Sequence, residues 1–235
     1  MATLLLRLAG PMQAWGTSSK IDTRNTDSYP SKSGVIGMIA AALGRSRDEP
    51  VEDLASVRFG VRIDQQGTVM RDYHTAHHPE KDKLAYITNR FYLEDAIFLV
   101  GLEGDDRLLS EIDYAVRNPY YPLFLGRRSC TVTGKVSLGI RDKSLKDALN
   151  DEPWLASEWY EKKKGLNVQL EVIMDSNEGE EGYLIRDRPQ SFSFSRRKYG
   201  FRKVSTSVVD MNNPKSRKYV ENSTTHDVFE DLEGI

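Results

Sequence analysis

The chain has a single cysteine, Cys130, among 235 residues. No internal disulfide can form, and a chain this long can build its own core without one. Long apolar runs are also missing. The longest, Gly34 to Leu43, is about half the roughly 18 residues a membrane span needs. Residues Thr3 to Leu8 have neither the basic lead nor the small-residue cleavage site of a secretory signal. These absences predict a cytoplasmic protein with no membrane contact. Histidine is scarce too, with four residues, three of them His74, His77 and His78. No second cysteine and no carboxylate cluster accompanies them at ligand spacing, so neither a metal nor a cofactor is expected. The G-x-S-x-G, G-x-G-x-x-G, C-x-x-C and P-loop patterns are all absent. Cys130 reads as a small buried residue rather than a nucleophile.

What the chain does have is charge arranged in blocks. The formal net charge of −2, taken as an average, argues against a nucleic-acid partner. Split along the chain, it becomes −4 over residues 1–116, +6 over 117–146, −7 over 147–182, +8 over 183–218 and −5 over 219–235. Attraction to a polyanion follows local potential, screened beyond about 8–10 Å, and not the total. Two solvated basic faces and a disordered acidic tail would give the same pattern. The motifs have to decide.

Hydrophobic patterning orders the elements. Thr3 to Ala9 is a buried strand closed by Gly10-Pro11, and residues 17–30 are a polar loop. Ser31-Lys32-Ser33 opens a helix whose apolar body ends at Gly44. Val57 to Ile63 alternates apolar and basic residues, as a half-exposed strand does. Two extended segments flanking a polar tip near residue 80 predict a hairpin arm at about 72–98. Ala96 to Leu102 is a buried strand, Asp105 to Arg117 a helix, Thr131 to Ile140 a strand and Ser144 to Asn150 a short helix. From about residue 153 the pattern turns to strands, and the tail from Tyr219 has no periodicity. This order predicts an α+β fold. Residues 1–150 form a ferredoxin-like domain of the RNA-recognition type with an inserted hairpin, 151–218 a β-rich region and 219–235 an acidic tail.

Four constellations could carry chemistry. Leu125-Gly126-Arg127-Arg128-Ser129 follows Tyr120, Tyr121 and Phe124. Glycine admits close backbone approach to phosphate, guanidinium groups bind it bidentately, and aromatics stack on unpaired bases. The alternative is a tight turn with core aromatics. Ser31-Lys32-Ser33-Gly34 combines hydroxyls, a Lys and a helix N-terminus, which suit an anion; an ordinary Ser cap reads equally well. Ser191 to Lys203 interleaves Phe192, Phe194, Arg196, Arg197, Tyr199 and Phe201, the composition of a single-strand surface. The same residues also fit a strand with a buried aromatic face. Arg71-Asp72-Tyr73-His74-Thr75 offers a base for attack by an RNA 2′-hydroxyl, or simply the root of the arm.

These segments together resemble one family. Leu6-Arg7-Leu8-Ala9-Gly10-Pro11-Met12-Gln13-Ala14-Trp15-Gly16 is similar to the N-terminal signature of the CasD subunits of type I-E CRISPR Cascade complexes. So are Thr23-Arg24, Pro30 to Gly34, Arg71 to Thr75 and Leu125 to Cys130, with a weaker match at Arg186-Asp187-Arg188-Pro189. The resemblance implies a RAMP-type fold whose hairpin is a thumb, with Tyr86, Phe91 and Tyr92 as its wedge. It implies a subunit that caps one end of the complex and holds the 5′ handle of the crRNA. Its protein partners are the backbone subunit CasC and the large subunit CasA, and it meets target DNA only through the assembly. Carried onto this chain, the RNA-binding residues are Trp15, Arg24, Ser31, Lys32, Ser33 and Gly34. Tyr73, His74, Tyr120, Tyr121 and Gly126 join them, as do Arg127, Arg128, Ser129, Arg196 and Arg197. Guide processing in this subtype falls to CasE, so no catalytic residue is expected. The alternative is a metal-independent endoribonuclease that processes repeat RNA, as the type I-C homologue does, with His74 or Tyr73 as base.

Overall fold

The computed structural model describes residues 1–17, 22–78, 81–177 and 179–217, with the side chains of 76–86 left out. The expected acidic tail and the Tyr86 side chain lie outside the described residues. The chain runs β1 (Ala2–Ala9), β2 (Met12–Gln13), β3 (Thr23–Arg24), α1 (Lys32–Ala42), α2 (Glu52–Ala55), β4 (Arg58–Gln65), β5 (Thr68–His78), β6 (Lys81–Glu94) and β7 (Ile97–Gly104). It continues as α3 (Asp106–Arg117), β8 (Ser137–Arg141), α4 (Leu145–Asp151), α5 (Glu158–Lys163), β9 (Asn167–Asp175), β10 (Tyr183–Ser191) and β11 (Lys198–Asn212).

Seven strands form one antiparallel sheet in the order β10-β11-β9-β4-β7-β1-β8. Its centre explains the leucine run of the first strand. Alternate residues of a strand face opposite sides. Leu4, Leu6 and Leu8 meet α1 and α3 in the main core, while Leu5 faces the other side and packs with Leu99, Leu145 and Leu149. Both faces are covered, so the strand reads as continuous apolar sequence. Helix α4 lies close because Gly60 and Gly101 pair across β4 and β7. A Cβ at Gly101 would sit 2.6 Å from Leu145 Cδ1, and one at Gly60 would sit 2.7 Å from Leu149 Cδ1. Helix α3 ends cleanly, with the Asp105 carboxylate accepting the Arg107 and Leu108 N–H groups at its start.

One expectation for the sheet needs correction. β4 is not half-exposed, because Arg62 is fully buried. The segment after α4 folds over it. Its guanidinium donates to both Asp64 carboxylate oxygens at 2.7 and 2.8 Å, and to the carbonyls of Leu149, Glu152 and Pro153 at 2.6–2.9 Å. Thus a strand-face arginine serves as the C-terminal cap of α4. Beyond residue 153 the strands β9, β11 and β10 extend the central sheet from the β4 edge.

The arm is a long two-stranded ribbon, β5 and β6, registered from Thr68↔Glu94 outward. It spans 68–94 and not 72–98, since Ile97 and Phe98 already belong to the central strand β7. Two short strands brace its root. β2 pairs with Leu93 and Glu94, and β3 runs parallel to β6 with Thr23 opposite Asn89. Neither is long enough to show as periodicity. Among the described residues no helix is long and apolar enough to cross a membrane.

Removing one half of a buried ion pair strands the other. Asp64→Ala is therefore expected to cost about 3–5 kcal/mol, measured by urea unfolding. A loss below about 1 kcal/mol, typical of a surface pair, would contradict this role for Arg62.

Candidate nucleic-acid interface

Three of the four constellations, far apart in sequence, converge on one cleft of about 510 Å³. Its floor is the exposed side of α1, where Gly34, Gly37, Ala40 and Ala41 leave the helix surface flat. One wall is the loop carrying Tyr121, Phe124, Gly126 and Arg128; the other is the turn between β10 and β11, with Phe192, Arg197 and Tyr199. The Phe192 ring leans over Gly37, 3.7 Å from where a Cβ would be. Sequence reasoning missed Arg45, Ser46 and Arg47, which close the far end. Arg45 is held by Asp53 at 2.7 Å, and the Arg47 guanidinium lies 4.3 Å over the Phe194 ring, which is 81% exposed. Their signal was faint: two arginines just beyond the helix-ending Gly44.

The helix N-terminus in this cleft already holds an anion, the protein's own. Asp187 accepts the Lys32 backbone N–H at 2.8 Å, and Ser31 caps the helix by accepting the Gly34 N–H at 3.3 Å. Asp187 is fixed in turn by Arg202 at 2.5 and 2.9 Å, and Arg202 also reaches Asp175 at 2.8 Å. The Lys32 side chain, expected at the surface, is buried. Its Nζ donates to the Val57 carbonyl at 2.6 Å and to Asp175 at 3.1 Å. Burial pushes this ammonium below the ordinary lysine range, with Asp175 opposing the shift. Lys32 and Ser31 are thus supports of the cleft and not part of its surface; Ser33 and Gly34 do line it.

Trp15 is likewise corrected. It is 1% exposed, with Nε1 bonded to Gln13 Oε1 at 2.9 Å, and its ring lies against Gly34, where a Cβ would come within 2.9 Å. It supports the floor and offers no face for stacking. Tyr120 and Tyr121 donate their backbone N–H groups to Ala42 and Ala41, which caps the end of α1. Their rings stand edge to face at 4.7 Å, 72% and 50% exposed.

Arg127 differs from its neighbour. Gly126 has φ +88° because its backbone presses on Ala14, whose carbonyl oxygen a Cβ would overlap at 1.7 Å. That turn sends Arg128 outward into the cleft and Arg127 inward. The Arg127 guanidinium donates to the carbonyls of Arg24 (2.8 Å), Asn25 (3.1 Å) and Phe91 (3.1 Å), and lies 4.6 Å over the Tyr92 ring. It is therefore a clamp between loop and arm, and it does not line the cleft that Arg128 enters. Tyr92 is 4% exposed beneath it, and Phe91 is half-buried at the root, so neither stands at the tip of a wedge. Arg24 and Arg196 are exposed outside this cleft. Arg196 lines a separate surface with Arg188 and Lys198.

The fourth constellation lies across the loop, in a second cleft of about 440 Å³ that Ser129 also borders. Here His74 Nε2 is 2.8 Å from Asp72. Cys130 is buried as expected, and burial raises its thiol pKa.

The sequence profile of the CRISPR-associated Cas5 proteins matches residues 3–205. The chain belongs to the Cas5 family. It is 39% identical over 172 residues to the Cascade subunit CasD of Escherichia coli K12, a match covering 64% of this chain and 77% of that protein. A Cas protein crystal structure superposes with a TM-score of 0.70 at 38% identity, covering 91% of this chain and 97% of the other. A chain of a CRISPR RNA-guided surveillance complex gives 0.74 at 28% identity, covering 93% and 96%. The resemblance read from the motifs and the mixed α/β architecture both hold for this Cas5 protein.

Lysine cannot reproduce a planar fork that reaches three carbonyls. Arg127→Lys is expected to speed amide hydrogen exchange along β5 and β6 about tenfold or more, since losing one such charged contact costs about 1.5–3 kcal/mol. Protection in α1 should not change. Unaltered exchange in the arm would contradict the clamp.

Proposed function

We propose that this Cas5 protein is the Cascade subunit that holds the 5′ handle of the crRNA and caps one end of the complex, in antiviral defence, without being catalytic itself. The observation that carries the reading is the convergence of Arg128, Arg197 and Arg47 with Tyr121, Phe124 and Phe192 on one open cleft. A fixed single-stranded handle needs phosphate anchors and platforms for splayed bases, and this lining supplies both. The reading also draws on the CasD relative, a named Cascade subunit.

The strand order β8-β1-β7-β4, with α1 and α3 packed on the side of the main core, supports reading the core as a ferredoxin-like RAMP domain. In this proposal CasC and CasA are the protein partners, the arm is the thumb, and target DNA is met through the assembled complex. The cytoplasm is where guide and complex meet.

Arg128→Ala with Arg197→Ala is expected to weaken binding of handle RNA on the order of tenfold per arginine. The salt dependence should flatten by about 0.7 per lost phosphate contact. Filter binding across a salt series measures both, and unchanged affinity and slope would remove the cleft from the RNA path. Incubation of the purified chain with its own repeat RNA in EDTA should leave the RNA intact. Site-specific cleavage that His74→Ala abolishes would establish the ribonuclease instead.

A further inference from the structure

The second cleft has its own construction. In the ribbon, Met70 pairs with Tyr92 and Asp72 with Arg90. Alternation therefore places Met70, Asp72, His74, Arg90 and Tyr92 on one face. Arg71, Tyr73 and Asn89 alternate with them: Arg71 Nε bonds Asn89 at 2.9 Å, its guanidinium lies 5.9 Å from the Tyr73 ring, and Arg71 and Tyr73 also line the same cleft. The first face, with Met12 and Ser129, encloses the cleft of about 440 Å³. Its floor is apolar: Met12 and Met70 pack against the main core, and Tyr92 is buried. Its rim is polar: the Arg90 guanidinium, the Asp72 carboxylate with His74 at 2.8 Å, and the Ser129 hydroxyl.

We propose that this cleft is a second RNA subsite that takes one unpaired nucleobase at the root of the arm. A base is a flat apolar ring with a hydrogen-bonding edge, and the cleft has that division. Methionine thioethers pack adaptably on aromatic rings, so the floor takes the ring. Arg90 donates, Asp72 accepts and Ser129 does either, so the rim meets the edge. An acidic peptide would find the Asp72 carboxylate beside the two arginines, Arg71 and Arg90, over an apolar floor, a poor match.

The inference rests on reading the first cleft as the handle site. Arg128 lines the first cleft and Ser129 the second. A strand anchored at Arg128 and continuing over the loop therefore enters the second cleft at the next residue. The Arg127 clamp fixes the ribbon wall at that point.

The test pairs protein variants with missing bases. Full-length chain carrying Arg90→Ala or Met70→Ala is titrated with single-stranded handle RNA, intact or with one abasic nucleotide at each position in turn. Arg90 is exposed, so its variant keeps the fold, and thermal melting checks both. Each variant should bind intact RNA roughly five- to twentyfold more weakly, in line with about 1–3 kcal/mol per stacked base. At one abasic position the loss should vanish, because the base and its receptor are then removed together. Losses that add at every position, or no loss in either variant, overturn the subsite. Arg128→Ala run alongside separates the two readings. If it weakens binding while the arm variants do not, only the subsite falls; if none weakens it, the handle reading falls as well.

Discussion

Two carboxylates hold the start of α1 against the strands β9, β10 and β11. Asp175 at the end of β9 and Asp187 in β10 share Arg202 of β11, and between them they fix the side chain and backbone of Lys32 at the start of α1. Lys32, Asp187 and Arg202 are buried and Asp175 is partly so, and each has a hydrogen-bonded partner of opposite sign, the condition under which burial is tolerable. The consequence is geometric. The floor of the main cleft is α1, one of its walls is the turn between β10 and β11, and this network fixes one against the other.

Partners of this kind sort the basic residues along the whole chain. Lys32 and Arg202 are consumed inside, as Arg62 is behind β4 and Arg127 is at the arm. Arg128, Arg196, Arg197, Arg188 and Arg47 remain at the surface. Counting basic residues located the stretches that hold Arg128 and Arg197 but passed over Arg47, and it could not tell structural arginines from exposed ones, because that difference depends on which carbonyls and carboxylates fold nearby.

Much of the fold was legible. The leucine run of β1, the helices beginning at Asp105 and Ser144 and the strands beyond residue 153 are local patterns, and each element formed about where its pattern placed it. The errors came from non-local causes. β4 looked half-exposed because nothing in Val57 to Ile63 announces that residues 149–155 will cover Arg62. Lys32 looked like an anion ligand because the carboxylates that meet its backbone and its side chain, Asp187 and Asp175, lie 155 and 143 positions away. The site was legible as a set of motifs, but not as one cleft on α1 and another across the loop. Arg127 and Arg128 are indistinguishable as letters; only the left-handed turn at Gly126 separates clamp from ligand.

If the main cleft takes RNA as proposed, the seven-stranded sheet has a consequence for how the strand gets in. Both walls and the floor of the main cleft are attached to one continuous hydrogen-bonded layer. Among the described residues no linker divides the sheet to act as a hinge between the walls. In the proposed reading a flexible chain is therefore laid into the cleft from its open side. The ordering then falls to the RNA, and the entropy of association is lost mainly from the nucleic acid.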